Sequence, residues 1–502
     1  MPQTIDTQQY VLLPVRGIRA QGRTIAPELL NFLFTLSNPQ PAGPMVAFSA
    51  GPKIKKADAK MRLLDSVGEN GAKLVEMSPE AMLALREEQP QLKIVPVVYY
   101  KTQEATPFTI QTRAAAANTI KTKIKVVSKA GGGPVAGATV VAFTDFANLS
   151  GAQGVTNSAG EVLLALGGLN VTLDRLYIYP EKGFWGALKK NVAAASGSMF
   201  KLTPINLGFT DSLRHFYGNA ANNDGQGVKV GVLDTGIALN HPDLVVEGGV
   251  NTVLHENAND FGDNGHGHGT HVAGIIGARG QAPNGIRGLA PAVTLRSYRV
   301  FGQGSGEASN FAISKAIDRA VADGCDLINM SLGGGSPDDA TRAAMEDALA
   351  QGVLVLVATG NDDRSPVSFP ASDSPPAIAV SAMGRKGTFP AGTAQTGTVQ
   401  KPFGSDTKNF IADFSNIGPE VDLTAPGVGI ISTYPGGYAV MDGTSMACPA
   451  ATGFAARLLA GKPAILQMQR DAARANAMTQ AVFAAARLLN FGPDFEGHGM
   501  LL

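Results

Sequence analysis

VKVGVLDTG, at residues 228–236, decides the fold of the second half of the chain. Its apolar run ends in an aspartate and a Thr-Gly turn, which is typical of a buried strand with a polar residue at its carboxyl end. Further apolar runs of this kind lie at residues 294–301, 326–332, 353–360 and 377–384. The segments between them, such as 309–323, have a helical period with one apolar face. This alternation predicts an α/β fold with a mostly parallel sheet flanked by helices.

The first two hundred residues have other patterns. Ser78, Pro79 and Glu80 are typical of a helix start, and LKIVPVVYY at 92–100 follows as an extended segment. TIKTKIKVV at 119–127 alternates polar and apolar side chains, as a half-buried strand does. We therefore divide the chain into an N-terminal arm at 1–44, an α+β domain at 45–101, a linker at 102–119, a small all-β sandwich at 120–204 and the α/β domain at 205–502.

Composition excludes several classes of function. With 41 basic and 41 acidic side chains, the chain has no excess charge for nucleic acid or for an anionic membrane surface. Its 2 cysteines are too few for a disulfide framework or a zinc site of thiolates. The first residues lack the basic and apolar regions of a signal peptide, and no apolar run of about 18 residues follows. We therefore expect a monomeric, cytoplasmic protein, with export by another route left open.

Three side chains of the α/β domain have the chemistry needed for nucleophilic acyl transfer. Asp234 ends the first strand, His268 lies at a helix start in GHGTHVAG, and Ser445 precedes a helix in GTSMACPAATG. A serine hydroxyl is a weak nucleophile until an imidazole takes its proton, and that imidazole needs a carboxylate to fix its tautomer. The chain order Asp, His, Ser is one of the known orders of this triad.

Three motifs carry a resemblance to a known family. DTGIALNHPDL at 234–244, HGTHVAGIIG at 268–277 and GTSMACP at 443–449 resemble the active-site signatures of the subtilase (subtilisin-like) serine protease family. The resemblance implies that Asp234 orients the imidazole, that His268 is the general base and that Ser445 is the nucleophile. It also implies that Asn361, in VLVLVATGN, donates to the oxyanion.

The resemblance further implies where substrate binds. Ser331, Leu332 and Gly333 match the edge strand that pairs with an extended peptide and lines the main specificity pocket, and Ser368 matches a position near the pocket floor. No charged side chain occurs at these positions, so we expect an apolar or aromatic residue before the cleaved bond. No cofactor is expected. Asp243 matches a calcium ligand of the family, which allows a structural calcium ion.

Residues 45–101 resemble the inhibitory propeptide of the family. The resemblance implies that this domain inhibits the enzyme within the same chain, with VPVVYY in the substrate cleft, and that self-cleavage separates Tyr100 from Lys101. A constitutive N-terminal domain is the alternative. The module at 120–204 resembles accessory β-sandwiches of peptidases, for which we expect a role in tethering, spacing or recruiting a protein or peptide substrate.

Other interpretations of the same residues remain open at this stage. His266, His268 and His271 could form a metal cluster, but the acidic base of an HExxH motif is missing, and His271 is better interpreted as a buried structural histidine. Cys448 is interpreted as a core residue rather than as a nucleophile. The leading hypothesis is a serine endopeptidase made as an autoinhibited precursor. The alternatives are an inactive, peptide-binding relative, or an esterase or peptide ligase with the same triad.

Overall fold

A computed structural model of the chain describes residues 7–14, 17–19, 32–33, 60–113 and 120–502. Most of the arm predicted at 1–44 lies outside the described residues. The first part of the domain predicted at 45–101 and residues 114–119 of the predicted linker lie outside them as well.

The N-terminal domain is an antiparallel sheet with one helix. Its elements are β1 (Gln8–Pro14), β2 (Met61–Ser66), β3 (Lys73–Met77), α1 (Pro79–Glu88) and β4 (Leu92–Pro96). The sheet order is β2-β3-β1-β4, with β1 hydrogen-bonded on both sides. Strand β1 was predicted to belong to an arm, and the structure corrects this, because β1 is an inner strand of the domain. Sequence pattern could not detect a pairing between segments more than sixty residues apart.

Helix α1 begins where the sequence predicts. The Ser78 hydroxyl accepts from the Ala81 N–H at 3.3 Å, and Pro79 occupies the first turn, where no N–H donor is needed. Ala81, Ala84 and Leu85 are buried against the sheet.

The segment that follows runs through the cleft of the α/β domain and into a two-sheet module. Its elements are β5 (Tyr99–Thr102), β6 (Thr112–Arg113), β7 (Lys121–Ser128), β8 (Thr139–Asp145), β9 (Ser150–Val155), β10 (Glu161–Ala165), β11 (Asn170–Tyr179), β12 (Ala187–Ala195) and β13 (Ser198–Leu202). One sheet has the order β10-β7-β13 and the other β12-β11-β8-β9-β6. Side chains from both sheets, among them Ile124, Val140 and Leu176, share one core. The predicted linker contributes β6, which pairs with β9.

The α/β domain contains the remaining elements. They are α2 (Ser212–Tyr217), β14 (Lys229–Asp234), β15 (Val246–Asn251), α3 (His268–Gly277), β16 (Thr294–Arg299), β17 (Glu307–Ser309), α4 (Asn310–Ala322), β18 (Leu327–Met330), β19 (Leu332–Gly333), α5 (Asp339–Ala350), β20 (Leu354–Ala358), β21 (Ala377–Arg385), a 3-10 turn at Ala394–Gly397, β22 (Val399–Phe403), β23 (Asn409–Ala412), β24 (Leu423–Pro426), β25 (Ile430–Tyr434), β26 (Gly437–Met441), α6 (Thr444–Ala460), α7 (Pro463–Leu466), α8 (Ala472–Ala484), β27 (Ala486–Arg487), α9 (Pro493–Glu496) and β28 (Met500–Leu501). Within the described ranges, no helix is both long and apolar enough to cross a bilayer.

The main sheet has the order β15-β16-β14-β18-β20-β21-β23-β22, and β24 also pairs with β21. All pairings are parallel except those of β23 with β21 and β22. This confirms the predicted α/β fold of the second half. Because the strands are parallel, the residues that follow β14, β18 and β20 meet at one edge of the sheet.

The two-sheet module is joined to the α/β domain through the residues before β12. Trp185 is 1% exposed and lies in the core of the α/β domain, with its ring 5.3 Å from that of Phe209. The Leu188 N–H donates to the Gly392 carbonyl at 3.0 Å. The only tryptophan of the chain therefore packs in a core that joins the module to the α/β domain.

The N-terminal domain lies against helix α4. Arg19 forms two hydrogen bonds with the Asp318 carboxylate, at 2.5 and 2.7 Å, and the Lys315 ammonium lies 2.7 Å from both oxygens of Asp65. Apolar side chains of the two domains also form one continuous cluster. These contacts hold the domain beside the entrance of β5 into the cleft.

Candidate active site

Asp234 and His268 meet where a strand ends and a helix begins. His268 Nδ1 lies 2.7 Å from Asp234 Oδ1, and both side chains are buried. The same oxygen accepts from the Thr235 N–H at 2.7 Å. A Cβ on Gly269 would lie 3.0 Å from Asp234 Cβ and 2.3 Å from the Gly236 carbonyl oxygen. Glycine at position 269 therefore lets α3 begin against the end of β14.

The pairing determines how the His268 ring is protonated. Burial disfavours the imidazolium, but the charge and the hydrogen bond of Asp234 outweigh burial and raise the pKa of His268. The charges of Glu104 and Asp263 act in the same direction. With Nδ1 donating to Asp234, Nε2 is the nitrogen that can accept a proton. Nε2 is buried and has no hydrogen-bond partner among the described residues.

Ser445 lies in the first turn of α6. Its main-chain N–H donates to the Gln103 carbonyl oxygen at 2.8 Å, and its hydroxyl donates to the Ser331 carbonyl oxygen at 3.0 Å. Gly443 has φ +151°, and a Cβ there would lie 2.6 Å from the Gln103 oxygen. The glycine before Thr444 thus leaves room for a peptide carbonyl at the helix start.

Asn361 follows the end of β20 and faces Gln103, the residue whose carbonyl accepts from Ser445. Its Oδ1 accepts from the Thr444 N–H at 2.9 Å, so its Nδ2 must be the atom directed away from α6. Nδ2 lies 3.5 Å from Gln103 Oε1. The amide donor of Asn361 and the N–H of Ser445 therefore both lie beside Gln103.

The chain's own segment occupies the cleft. Strand β5 lies between β17 and β19 and is antiparallel to both. Beyond β5, the Gln103 N–H donates to the Ser331 carbonyl at 3.1 Å, and the Ala105 N–H donates to the Asp442 carbonyl at 2.8 Å. Main-chain hydrogen bonds thus bind the segment on both sides of Ser445, as an added strand would be bound.

The predicted pocket residues lie along this segment. Leu332 pairs with Thr102, and a Cβ on Gly333 would lie 3.2 Å from Ser368 Oγ and 3.5 Å from the Gln103 side-chain nitrogen. Ser368 itself donates to the Thr359 carbonyl at 3.0 Å. The side chain next to these residues is the amide of Gln103, and the expected preference for an apolar or aromatic residue stays a prediction.

The residue against Ser445 is not the tyrosine of the predicted self-cleavage site, and cleavage itself stays a prediction. Tyr100 pairs with Ala308 and is fully buried, and Lys101 pairs with Gly333 and with Glu307. The carbonyl against Ser445 belongs to Gln103, three residues after Tyr100. The pattern VPVVYY predicted an extended segment correctly, but only the pairing of β5 with β19 sets its register against Ser445.

Sequence reasoning missed several residues that shape the site. Asn416 accepts from the Asp362 N–H at 2.7 Å through Oδ1 and so holds the turn that carries Asn361. Gly360 has φ +114°, and a Cβ there would lie 2.3 Å from Asn416 Nδ2. The glycine in ATGN was a signal for this close approach, whereas Asn416, fifty-five residues after Asn361, had none.

The other histidines and Cys448 have separate partners. His271 Nε2 lies 3.1 Å from the Ile430 carbonyl oxygen, and burial lowers the pKa of His271 to about 3. His266 Nε2 lies 3.7 Å from Glu104 Oε1. Burial raises the pKa of the Cys448 thiol, which disfavours a reactive thiolate. In the described part of the chain, no three His, Cys, Asp or Glu side chains are grouped as a metal site would require.

Asp243 was the candidate calcium ligand. Its Oδ2 accepts from the Ile286 N–H and from the Tyr438 hydroxyl, both at 2.9 Å. A Cβ on Gly280 or Gly285 would lie 2.2 or 2.6 Å from Oδ1. Calcium takes six to eight oxygen ligands, whereas these partners of the carboxylate are hydrogen-bond donors. The surroundings of Asp243 therefore do not fit a calcium site.

A cavity of about 490 Å³ opens beyond Glu104, on the far side of Ser445 from β5. Asn361 and Asp442 line it from the α/β domain, and Tyr177 and Tyr179 from the two-sheet module. The module thus forms one wall of the cleft on the side where the chain leaves Ser445.

The chain was compared with known proteins. A family model described as "Subtilase family" matches residues 225–497, more than half of the chain. Subtilisin DY from Bacillus licheniformis is 39% identical over 251 residues, which are 49% of this chain and 81% of that protein. The chain belongs to the subtilase family. It is a subtilisin-like serine protease, a hydrolase that acts on proteins or peptides.

Two further relatives have a similar identity to this chain. Subtilisin Savinase from Lederbergia lenta is 38% identical over 246 residues, 49% of this chain and 81% of that protein. M-protease from Shouchella clausii strain KSM-K16 is 38% identical over 246 residues, 49% of this chain and 57% of that protein. The family match begins at residue 225, so it covers the α/β domain of this subtilase and neither of the two units before it.

Proposed function

We propose that this subtilase hydrolyses peptide bonds through Ser445, His268 and Asp234, with Asn361 as an oxyanion donor. In this reaction the Ser445 hydroxyl attacks the carbonyl carbon while His268 Nε2 takes its proton. Asp234 stabilises the imidazolium, and His268 then returns the proton to the leaving amine. A water molecule then attacks the acyl group while His268 takes a proton from it. His268 returns this proton to the Ser445 oxygen as the acid product leaves.

Support comes from the position of one carbonyl group. The Gln103 oxygen accepts from the Ser445 N–H at 2.8 Å, where a substrate carbonyl has to lie for attack. His268 Nε2 has no hydrogen-bond partner among the described residues and so can accept a proton. The hydroxyl of Ser445 now donates to the Ser331 carbonyl, so a rotation about its Cα–Cβ bond precedes proton transfer.

We also propose that the chain is an autoinhibited precursor and that its first substrate is its own Gln103–Glu104 bond. The segment is bound as an extra strand, and the contacts of Arg19 with Asp318 and of Asp65 with Lys315 hold the N-terminal domain against α4, beside the cleft. The bound strand inhibits the enzyme because it occupies the place of any other peptide. The domain contacts help to keep the strand there. After cleavage, the fragment that ends at Gln103 is a product, and it must leave the cleft before another peptide can bind.

The test is self-cleavage of the full chain. We expect the purified wild-type chain to give a fragment that begins at Glu104, detected by N-terminal sequencing and intact mass. A Ser445→Ala chain should remain one piece, and the exposed Ser158→Ala variant should be cut as the wild type is. A fluorophosphonate probe should label the processed wild type and not Ser445→Ala.

Each result that contradicts the proposal has its own meaning. A chain that is neither cut nor labelled would be an inactive, peptide-binding relative. A new N-terminus at Lys101 would support the earlier sequence prediction, and cleavage of Ser445→Ala in pure form would end the self-processing proposal. Hydrolysis of ester substrates without peptide products would indicate an esterase.

A further inference from the structure

A buried tyrosine lies in the cleft three residues before Gln103. Tyr100 is fully buried, whereas its neighbour Tyr99 is 53% exposed, because successive side chains of β5 point to opposite sides. If the bond after Gln103 is cleaved, Tyr100 is the fourth residue before that bond. The inference below therefore rests on the proposed function.

The α/β domain surrounds the Tyr100 ring closely. A Cβ on Gly335 would lie 2.5 Å from a ring carbon, so glycine at this position leaves the space that the ring fills. On another side, the ring centroid of Phe369 lies 6.0 Å from that of Tyr100. These contacts suit any aromatic ring and do not by themselves distinguish tyrosine from phenylalanine.

The hydroxyl group of Tyr100 distinguishes tyrosine from phenylalanine at this position. It donates to Asp338 Oδ2 in a short hydrogen bond and lies 3.0 Å from the Ser336 carbonyl oxygen. Asp338 is only 6% exposed. Burial, followed by the charge of Asp338, raises the pKa of Tyr100, so the hydroxyl stays a donor.

The Asp338 carboxylate is also held by groups of the α/β domain itself. Its Oδ1 accepts from the N–H groups of Ala340 and Thr341, at 2.8 and 2.9 Å, at the start of α5. Asn310 Nδ2 lies 3.2 Å from the same oxygen. The ligand-facing oxygen, Oδ2, has the Tyr100 hydroxyl as its partner. A phenylalanine ring would leave this buried, charged acceptor without a donor, which is costly.

We propose that Asp338 is a specificity-determining residue that selects tyrosine over phenylalanine at the fourth position before the cleaved bond. The preference applies to protein and peptide substrates as it does to the chain's own segment. A hydrogen bond to a charged group changes binding by about 10- to 100-fold. Sites built to bond a hydroxyl group reject analogues that lack it for the same reason.

The first experiment uses the processed enzyme and two peptides, Tyr-Lys-Thr-Gln-Glu-Ala and its Phe analogue, with capped ends. We expect kcat/KM to be about 10- to 100-fold higher for the tyrosine peptide. Asp338→Asn should bring the ratio closer to one, mainly by raising kcat/KM for the phenylalanine peptide, because no buried charge is then left without a donor. The control Asp339→Asn, at the adjacent and more exposed residue, should keep the wild-type ratio. Equal rates for the two peptides in the wild-type enzyme would overturn the proposal without needing any variant to fold.

The second experiment does not depend on catalysis. In the full-length Ser445→Ala chain, Tyr100→Phe should raise hydrogen exchange of the Gln103 amide about tenfold or more, whereas Tyr99→Phe should not. If neither peptide is cleaved, the proposed function fails, and this exchange measurement still decides the role of Asp338. Equal protection in the two variants would refute that role.

Discussion

The Thr444 N–H donates to Asn361 Oδ1 at 2.9 Å, and this bond orients the Asn361 amide group. An amide side chain can present either its oxygen or its nitrogen, and only the nitrogen can stabilise an oxyanion. The main chain of Thr444, one residue before the proposed nucleophile, therefore ensures that a donor faces the cleft. Helix α6 supplies both this orientation and the second donor, the Ser445 N–H.

Removing the Asn361 donor should slow the chemical step. We expect Asn361→Ala to lower kcat about 100- to 1,000-fold with little change in KM, because the donor acts on charge that develops in the transition state. Steady-state kinetics on the processed enzyme with a peptide substrate would measure this. Asn257→Ala, at an exposed loop position, is the control. A rise in KM with unchanged kcat would mean that Asn361 only binds the ground state.

The acid limb of the pH–rate profile should report His268. Its neutral ring is the active form, and nearby negative charge raises its pKa by stabilising the imidazolium. Asp263→Asn removes one such charge, so we expect the half-maximal point of kcat/KM to move to lower pH. Asp260→Asn, with a side chain 62% exposed, is the matched control and should leave the profile in place. A shift to higher pH in Asp263→Asn would contradict this account.

Stability should depend on pH through Asp442. Burial raises the pKa of Asp442 to about 6, above the ordinary value for aspartate, so the folded state holds its proton more tightly than the unfolded state does. Stability is therefore lost as pH rises through about 4 to 6. Asp442→Asn in the Ser445→Ala chain should gain roughly 1 kcal/mol at neutral pH, with a smaller gain under acidic conditions. Urea denaturation at several pH values would measure the gain.

The charge of Asp406 should affect stability in the opposite direction to that of Asp442. Burial alone would raise its pKa, but hydrogen bonds from Arg385 and from the main chain outweigh burial and lower the pKa to about 2. Its ionised form thus stabilises the fold at neutral pH, and this contribution is lost as pH falls towards the lowered pKa. Asp406→Asn should destabilise the chain at neutral pH. The same sign for Asp406→Asn and Asp442→Asn at neutral pH would mean that charge at these two sites does not control stability.

Trp185 should couple the two-sheet module to the protease domain. We expect Trp185→Ala to cost about 3–5 kcal/mol, as large-to-small substitutions in cores do, and Trp185→Phe to cost less. Circular dichroism during urea unfolding of Ser445→Ala chains would measure both. Because Trp185 is the only tryptophan, its fluorescence in the parent chain reports separation of this contact directly. Equal midpoints for the Ala variant and its parent would mean that the module docks without Trp185.

Much of the fold was predictable because its signals are local. Apolar runs with helical segments between them predicted the parallel sheet, and Ser78 with Pro79 predicted the start of α1. The approach of His268 to Asp234 followed from three motifs in order, and the structure brings these two side chains to 2.7 Å. The apolar runs, the motifs and the helix cap are each contained within a few positions of the chain. The approach of His268 to Asp234, 34 residues apart, was implied by the family resemblance.

The family of this protein, its α/β fold and the side chains suited to acyl transfer could all be predicted from short motifs and apolar runs. The folded chain was needed to see that β1 lies inside the N-terminal sheet, that Gln103 rather than Tyr100 meets Ser445, and that the Tyr100 hydroxyl donates to Asp338. These facts depend on strand register and on contacts between residues more than fifty positions apart. A shift of β5 by a single residue would leave its apolar pattern intact and present a different carbonyl to Ser445.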